Sequence, residues 1–359
     1  MTLETYFAAA TERDWDTAAP EGTVRMAVVG VGGFAKDRAV PAMQAATYVE
    51  PTVLVTDSPA VVAEEPVAAG IDHCIHYDAF LEGAAREAYD AVYVATPNAL
   101  HRRYAVAAAE MGAHVICEKP LETSVERARE IIEACEAADV TLMTAYRHQL
   151  EPIVRRARDL LVAGELGDVV QIHAGFSHPL LEYADADSWR LDPELAGGGA
   201  LIDLGVYPLN TIRFFLECEP TGVFATTHSP PESPFTSVER DVAFQLQLPR
   251  GATASCTASY DAHANSQLQV LCTNGLLRIA APFSGVIPHE VHVESGDLSL
   301  EYTGEPTDEV REEFDYFGYC VLTGTAPEPD GEDGLADVAV MEATYAAAEL
   351  DSMVTIDAP

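Results

Sequence analysis

The sequence predicts an α/β protein with a doubly wound parallel sheet in its N-terminal part and a run of antiparallel strands in its C-terminal part. Three observations predict it. To about residue 150, apolar β-rich runs alternate with Ala/Glu/Arg-rich stretches, the texture of a parallel sheet covered on both faces. Beyond that point, strand-like runs such as "VVQIHAGFSH", "VAFQLQL" and "LQVLCT" follow one another with few helical patterns between them. At 359 residues and 48% apolar composition, the chain is too long for one ordinary core and apolar enough for two. The expected boundaries are an arm over 1–23, a first domain over 24–146 and a second over 147–359, whose last helix can pack back on the first.

The start, "MTLETYFAAATERDWDTAAPEG", lacks a basic region followed by a long apolar one, so it reads as an arm and not a signal peptide, and the expected location is cytoplasmic. The first strand, Val24–Val29, breaks at Gly30 and gives way to helical spacing. Gly30, Gly32 and Ala35 spell G-x-G-x-x-A at this junction. In that pattern the first glycine permits the tight turn, the second lets a pyrophosphate approach the backbone, and the alanine keeps the helix close to the strand. Gly33 and Phe34 fall in the same turn and are further candidate contacts. An ordinary glycine turn is the plain alternative; the placement after the first strand of a βα series favours dinucleotide binding.

The second strand, Thr52–Thr56, ends at Asp57, 27 positions after Gly30. A carboxylate there accepts from ribose hydroxyls and repels a 2′-phosphate, which argues for NAD; Thr56 and Ser58 can instead donate to that phosphate, although no Arg follows. Asp57 is equally readable as a turn residue beside Pro59. The strand over 91–95 leads into "TPNALH", placing Thr96, Asn98 and His101 at the carboxyl edge where open α/β sheets bind ligands; Asn98 is alternatively a helix N-cap. The strand His114–Cys117 leads into Glu118 and Lys119, and the strand Val140–Thr144 into Arg147. Lys119 is one of only two lysines in the chain, and a composition that has nearly eliminated lysine makes it hard to assign to chance. The other, Lys36, is exposed or reaches a cofactor phosphate.

In the second part, "WRLDPELAGGGALIDLGVYPLN" holds three glycines and then Asp203 and Tyr207, four apart and so on one helical face. Pro208 and Gly205 predict a bend that aims the phenol outward, while periodicity alone allows Tyr207 to be a core residue satisfied by Asp203. The Pro/Ser-rich "SPPESPF" at 229–235 is expected as a loop between strands, and "DGLADVAVMEATYAAAEL" as the last helix.

Acidic residues number 58 against 20 basic ones, for a formal charge of −38. That field repels polyphosphates and excludes nucleic acid as a partner, and its spread along the chain matches the solvated surface of halophilic proteins. No apolar run reaches the roughly 20 residues of a spanning helix, so no membrane partner is expected. Seven cysteines without a CxxC pair or a His-rich cluster read as reduced thiols, and no metal is expected.

Together G-x-G-x-x-A, "ATPNALH", "CEKP", "AYRHQLEP" and "GGGALIDLGVYPLN" resemble the Gfo/Idh/MocA oxidoreductases, from about Val24 to the last helix. The likeness is greatest to the branch of glucose-fructose oxidoreductase, dimeric dihydrodiol dehydrogenase and haloarchaeal D-xylose dehydrogenases. The resemblance implies a Rossmann domain and a second α/β domain on an open, mostly antiparallel sheet whose outer face commonly joins two copies, hence a homo-oligomer. It places Glu118 and Lys119 beside the nicotinamide and Trp189 and Arg190 close to the cofactor, with Arg147 and Asn98 as further contacts. Tyr207 stands where many members have His, which disfavours an inositol dehydrogenase. The branch implies NADP, with NAD the alternative that Asp57 favours.

The expected reaction is oxidation of a sugar substrate, D-xylose first, at C1 to the aldonolactone. A phenol has a free pKa of about 10, too high for an efficient base near neutrality, and a lysine ammonium favours its phenolate. Tyr207 is accordingly the expected general base, Lys119 its electrostatic partner and a donor that orients the substrate, and Asp203 a support for the substrate or for the Lys–Tyr pair. The alternatives are a dihydrodiol or polyol dehydrogenase, a sugar–sugar oxidoreductase with tightly held NADP, and a catalytically silent NAD(P)-binding sensor.

Overall fold

The computed structural model describes residues 7, 12–285, 287–304 and 307–356; of the expected N-terminal arm, residues 1–6 and 8–11 lie outside it. The chain divides into two compact units. One holds Asp14–Arg147 with Asp308–Leu335, the other Met1–Arg13, His148–Thr307 and the chain from Ala336 onward.

The first unit is built on six parallel strands: β1 (Val24–Val29), β2 (Val49–Thr56), β3 (His73–His76), β4 (Ala91–Val94), β5 (His114–Glu118) and β6 (Leu142–Ala145). Their order is β3-β2-β1-β4-β5-β6, so the winding reverses between β1 and β4, the position at which doubly wound sheets bind ligands. Ala27, Val29, Val92, Val94 and Val115 form one core with Ala105 and Ala108 of the helix His101–Glu110 and with Ile131 and Ile132 of the helix Val125–Ala137. Strand β3 has no counterpart among the expected strands. Its sequence, His-Cys-Ile-His, is half polar because an edge strand pairs on one side only.

The segment Asp308–Leu335 follows the second domain in sequence but groups with the first unit. The reason is polar as well as apolar. Asp315, fully buried in the helix Glu309–Thr323, accepts the N–H groups of Thr47 at 2.6 Å and Tyr48 at 2.9 Å. Trp15 packs its ring against Tyr316 and Tyr319 of the same helix.

The second unit carries a nine-stranded sheet: β7 (Val169–Ser177), β8 (Gly222–His228), β9 (Asp241–Gln247), β10 (Thr253–Ser259), β11 (Asn265–Cys272), β12 (Gly275–Ala280), β13 (Glu290–Ser295), β14 (Leu298–Thr303) and β15 (Val354–Thr355). The order is β14-β13-β12-β11-β7-β10-β9-β8-β15, antiparallel throughout except for the parallel pair β7 and β10. Alternation along β9 buries Val242, Phe244 and Leu246 and exposes Ala243, Gln245 and Gln247. The helix Val206–Leu216 packs against β7 and β10, and the helix Pro152–Val162 packs against that helix. Stretch 229–235 does lie between β8 and β9, and the last helix spans Gly331–Leu350. Among the described residues no helix is long and apolar enough to cross a membrane.

Candidate active site

In the first unit the carboxyl ends of β1, β4 and β5 bring the expected coenzyme residues into view. Gly30 has φ +103°, and a Cβ there would stand 2.6 Å from the Ala95 carbonyl oxygen, so glycine is required by the protein itself. Gly32 and Gly33 differ: a Cβ on either meets no atom within 4 Å. Packing does not account for them, and the space beside their backbone is open. Ala35 is buried and Phe34 is 39% exposed at the start of the following helix. Lys36 pairs with Glu65 at 2.6 Å, which matches its charge within the protein. Asp57 and Ser58 are exposed directly after β2, with the Thr56 hydroxyl donating to Asp57 at 3.4 Å.

Thr96 is 6% exposed, and its hydroxyl has no partner among the described residues, a buried polar atom that fits a ligand contact. Asn98 is not the cap of the next helix: it opens the preceding turn, and Leu100 occupies the cap position. His101 requires a correction. It is fully buried, with Nδ1 3.0 Å from the Pro120 carbonyl oxygen and Nε2 3.0 Å from that of Thr96, so neither ring nitrogen is left for a coenzyme. It ties the Thr96 loop to the turn after Lys119 instead, and burial holds its pKa below the usual histidine range.

Glu118 accepts from the buried Tyr93 hydroxyl at 2.6 Å and from the Lys119 N–H at 3.2 Å, which orients the carboxylate beside Lys119. Glu313 lies in the same buried neighbourhood. Burial, and then the charge of Glu118, push its carboxyl well above the ordinary range, while Arg147 acts against that rise. Arg147 forms an ion pair with the buried Glu309, so part of its charge serves the protein and not a coenzyme.

In the second unit, Asp203 and Tyr207 lie on one helical stretch, 200–216, which opens as a π-turn at Leu201–Gly205 and continues as the α-helix Val206–Leu216. The expected bend at Tyr207–Pro208 is absent. Pro208 sits in the first α-turn, where a missing N–H costs little, and the irregularity lies one turn earlier as the π-turn. Gly205 fits this: a Cβ there would meet Leu201 Cδ1 at 3.0 Å.

The Tyr207 ring is 7% exposed, in an aromatic cluster with His148 and Phe176, each at 5.4 Å between ring centres, and Phe283 at 5.8 Å. Asp203 accepts from Arg190 Nε and from the Tyr260 hydroxyl, both at 3.2 Å. Arg190 also lies over the Trp189 ring at 4.5 Å, so the two residues expected near the coenzyme are joined to Asp203 through Arg190. Burial, then the Asp203 charge, push the Tyr260 hydroxyl well above its usual pKa, so it stays a donor. Tyr93, Glu313 and Tyr260 escaped sequence reasoning, because each lies in a plain strand or helix pattern with no motif around it.

The arrangement was compared with known proteins. The family profile described as an oxidoreductase family with an NAD-binding Rossmann fold matches residues 24–146, and that of the GFO/IDH/MocA C-terminal domain matches residues 154–278. D-xylose 1-dehydrogenase [NADP(+)] of Haloarcula marismortui is 41% identical over 350 residues, covering 96% of this chain and 97% of that protein. D-xylose 1-dehydrogenase (NADP(+)) 2 of Haloferax volcanii is 34% identical, covering 92% and 99%. Among solved structures, the aldose-aldose oxidoreductase of Caulobacter crescentus, complexed with glycerol, gives a TM-score of 0.87 at 30% identity, covering 93% of this chain and all of that one. With both halves matched in order and relatives aligned nearly end to end, the chain belongs to the Gfo/Idh/MocA family of oxidoreductases.

Proposed function

We propose that the protein oxidises an aldose, D-xylose first, at C1 to the aldonolactone with NADP as coenzyme. The observation that carries the substrate is the 41% identity, over nearly the whole length, to an enzyme named for that reaction. The glycine turn at Gly30, Gly32 and Gly33 and the unpaired Thr96 hydroxyl support coenzyme binding, with Ser58, exposed after β2, donating to the 2′-phosphate. NADP, when bound, supplies the hydride acceptor. Tyr207 takes the C1 hydroxyl proton, Lys119 serves as its electrostatic partner, and Asp203, held by Arg190 and Tyr260, orients the reacting sugar. Glu118 accepts the Lys119 backbone N–H, and Tyr93 orients the Glu118 carboxylate.

The test is absorbance of the reduced nicotinamide with D-xylose, D-glucose and a vicinal diol, each with NADP and with NAD, in high salt. Reduction of NADP by D-xylose with lactone as product is expected; reduction with the diol alone moves the protein to the dihydrodiol and polyol dehydrogenases. A second reading follows from the solved relative named an aldose-aldose oxidoreductase. Sugar lactone formed in the presence of a second sugar, without net coenzyme reduction, is its signature. We also place a homo-oligomer contact on the face of the nine-stranded sheet that carries Gln245, Gln247, Thr257 and Gln267, exposed and uncharged on a chain of net charge −38.

A further inference from the structure

The helical stretch that carries Asp203 and Tyr207 lacks a start signal of its own. The first N–H groups of a helix have no partner within it, and a Ser, Thr, Asp or Asn just before it ordinarily accepts from them. Here the preceding residues are Gly197, Gly198 and Gly199, which have no side chain to offer.

The acceptor comes from 40 residues downstream. Glu239, 8% exposed and two residues before β9, takes the Gly199 N–H on Oε2 at 2.9 Å and the Leu201 N–H on Oε1 at 2.8 Å. Its backbone carbonyl takes the Ala200 N–H at 3.0 Å. The Tyr345 hydroxyl, from the last helix, donates to the same Oε1 at 2.9 Å. The glycines match this clamp atom for atom. A Cβ on Gly199 would stand 2.1 Å from the Glu239 carbonyl oxygen, and one on Gly198 would stand 2.0 Å from the Tyr345 hydroxyl oxygen. Gly197, at φ +79°, closes the short helix Pro193–Ala196 that leads into the run.

We propose that Glu239 is a positioning residue for the base: by holding the three N–H groups that open the stretch 200–216, it fixes where the π-turn presents Asp203 and where the first α-turn presents the Tyr207 phenol to an aldose hydroxyl. Tyr207 lies only six residues beyond the last clamped amide, so the stretch between transmits any displacement at its start. A misplacement of about 1 Å at a reacting group costs on the order of a hundredfold in rate. Burial raises the Glu239 carboxyl pKa, and the two amide donors and Tyr345 act against that rise. The inference rests on the reading of Tyr207 as the base.

The test compares Glu239→Ala, Glu239→Gln and Tyr345→Phe with the unsubstituted enzyme, using D-xylose and NADP. Turnover is expressed per coenzyme-binding site, counted by equilibrium titration, so that loss of folded protein does not register. Glu239→Ala should lower kcat per site roughly 30- to 100-fold with the NADP dissociation constant within about twofold of the original. Glu239→Gln, which keeps one acceptor oxygen, should recover part of that loss. Tyr345→Phe, which leaves the three amides bound, should stay within about threefold. A Glu239→Ala or Glu239→Gln enzyme with fewer binding sites but unchanged kcat per site makes Glu239 a folding residue only, and overturns the proposal. If Glu239→Ala yields no folded protein, a Gln variant with full kcat per site overturns it equally. Tyr207→Phe separates the two levels: if it keeps turnover, the reading of Tyr207 fails and this inference with it; if it loses turnover while kcat per site in Glu239→Gln and Glu239→Ala is unchanged, only this inference fails.

Discussion

Arg147 and its distant partner Glu309 apart, the two units secure their site residues over different distances along the chain. In the first, the His101 ring stands between the Thr96 carbonyl five residues back and that of Pro120 19 residues on, and Glu118 accepts from its neighbour Lys119. In the second, Glu239 reaches 40 residues back to Gly199, Tyr260 reaches 57 to Asp203, and Asn210 on the Tyr207 helix reaches 127 to Asp337. The sheets differ in the same sense. Strand β4 is buried at every residue, whereas β9 alternates. A parallel sheet whose ligand residues sit just past consecutive strand ends writes its site as short motifs; an antiparallel sheet carrying a helical layer assembles its site from residues that share no local pattern.

Four outcomes break or sharpen that contrast. The largest is chemical: Tyr207→Phe should lower kcat roughly a thousandfold, within the usual range for a general base, while NADP affinity measured by fluorescence titration is retained. Asp337→Ala comes next. It removes the carboxylate that pairs at 2.8 Å with Arg213, both side chains being at most 5% exposed, and that also accepts from Asn210. Arg213 keeps Glu219 on Nε and Nη2, so the loss strands its buried Nη1 and the Asn210 amide, and should cost about 1–3 kcal/mol in denaturant unfolding. A loss below 1 kcal/mol would mean that the long-range contacts of the second unit do not hold it.

In the first unit the sharper comparison is between two glycines. Gly30→Ala forces a Cβ into the Ala95 carbonyl at positive φ and should destabilise by about 1–3 kcal/mol. Gly32→Ala should change stability by less than about 0.5 kcal/mol yet weaken NADP binding tenfold or more, because only the ligand needs that space. Equal stability losses at both positions would remove the argument for a phosphate contact at Gly32.

The smallest effect is a pH dependence. Burial pushes the fully buried Glu122 carboxyl up, but Arg127 and the Thr123 N–H and hydroxyl outweigh it and leave the pKa below the ordinary glutamate value. A folded pKa below the unfolded value of about 4.3 gives stability that is complete above pH 4.3 and is lost as pH falls through the folded pKa. Glu122→Gln should flatten the acid limb of Tm against pH; an unchanged limb assigns it to other carboxylates.

The same contrast explains what could be read from sequence. The runs Val24–Val29 and His114–Cys117 announce buried strands because every side chain in them but Arg25 and His114 is buried, while β3 stays hidden in His-Cys-Ile-His. Asp203 and Tyr207 stand out through a glycine run and a helical spacing, but α-helical spacing could not reveal the π-turn, since it depends on i→i+5 bonds that leave no residue signature. Glu239 and Tyr345 are mute in sequence because their partners are backbone amides and each other. His101 misled for the opposite reason: a motif histidine looks reactive, and only packing reveals that backbone oxygens occupy both of its nitrogens.

The ion pair between Lys36 and Glu65 has a practical consequence. Because the chain holds two lysines, reductive methylation with carbon-13 formaldehyde installs labelled dimethylamines at two side chains and at the chain's amino terminus. The resonance that Glu65→Gln moves belongs to Lys36, and the one that Lys119→Arg removes reports on Lys119 alone. A protein of this size thus offers a near-background-free spectroscopic window on a single amine as coenzyme and sugar are added.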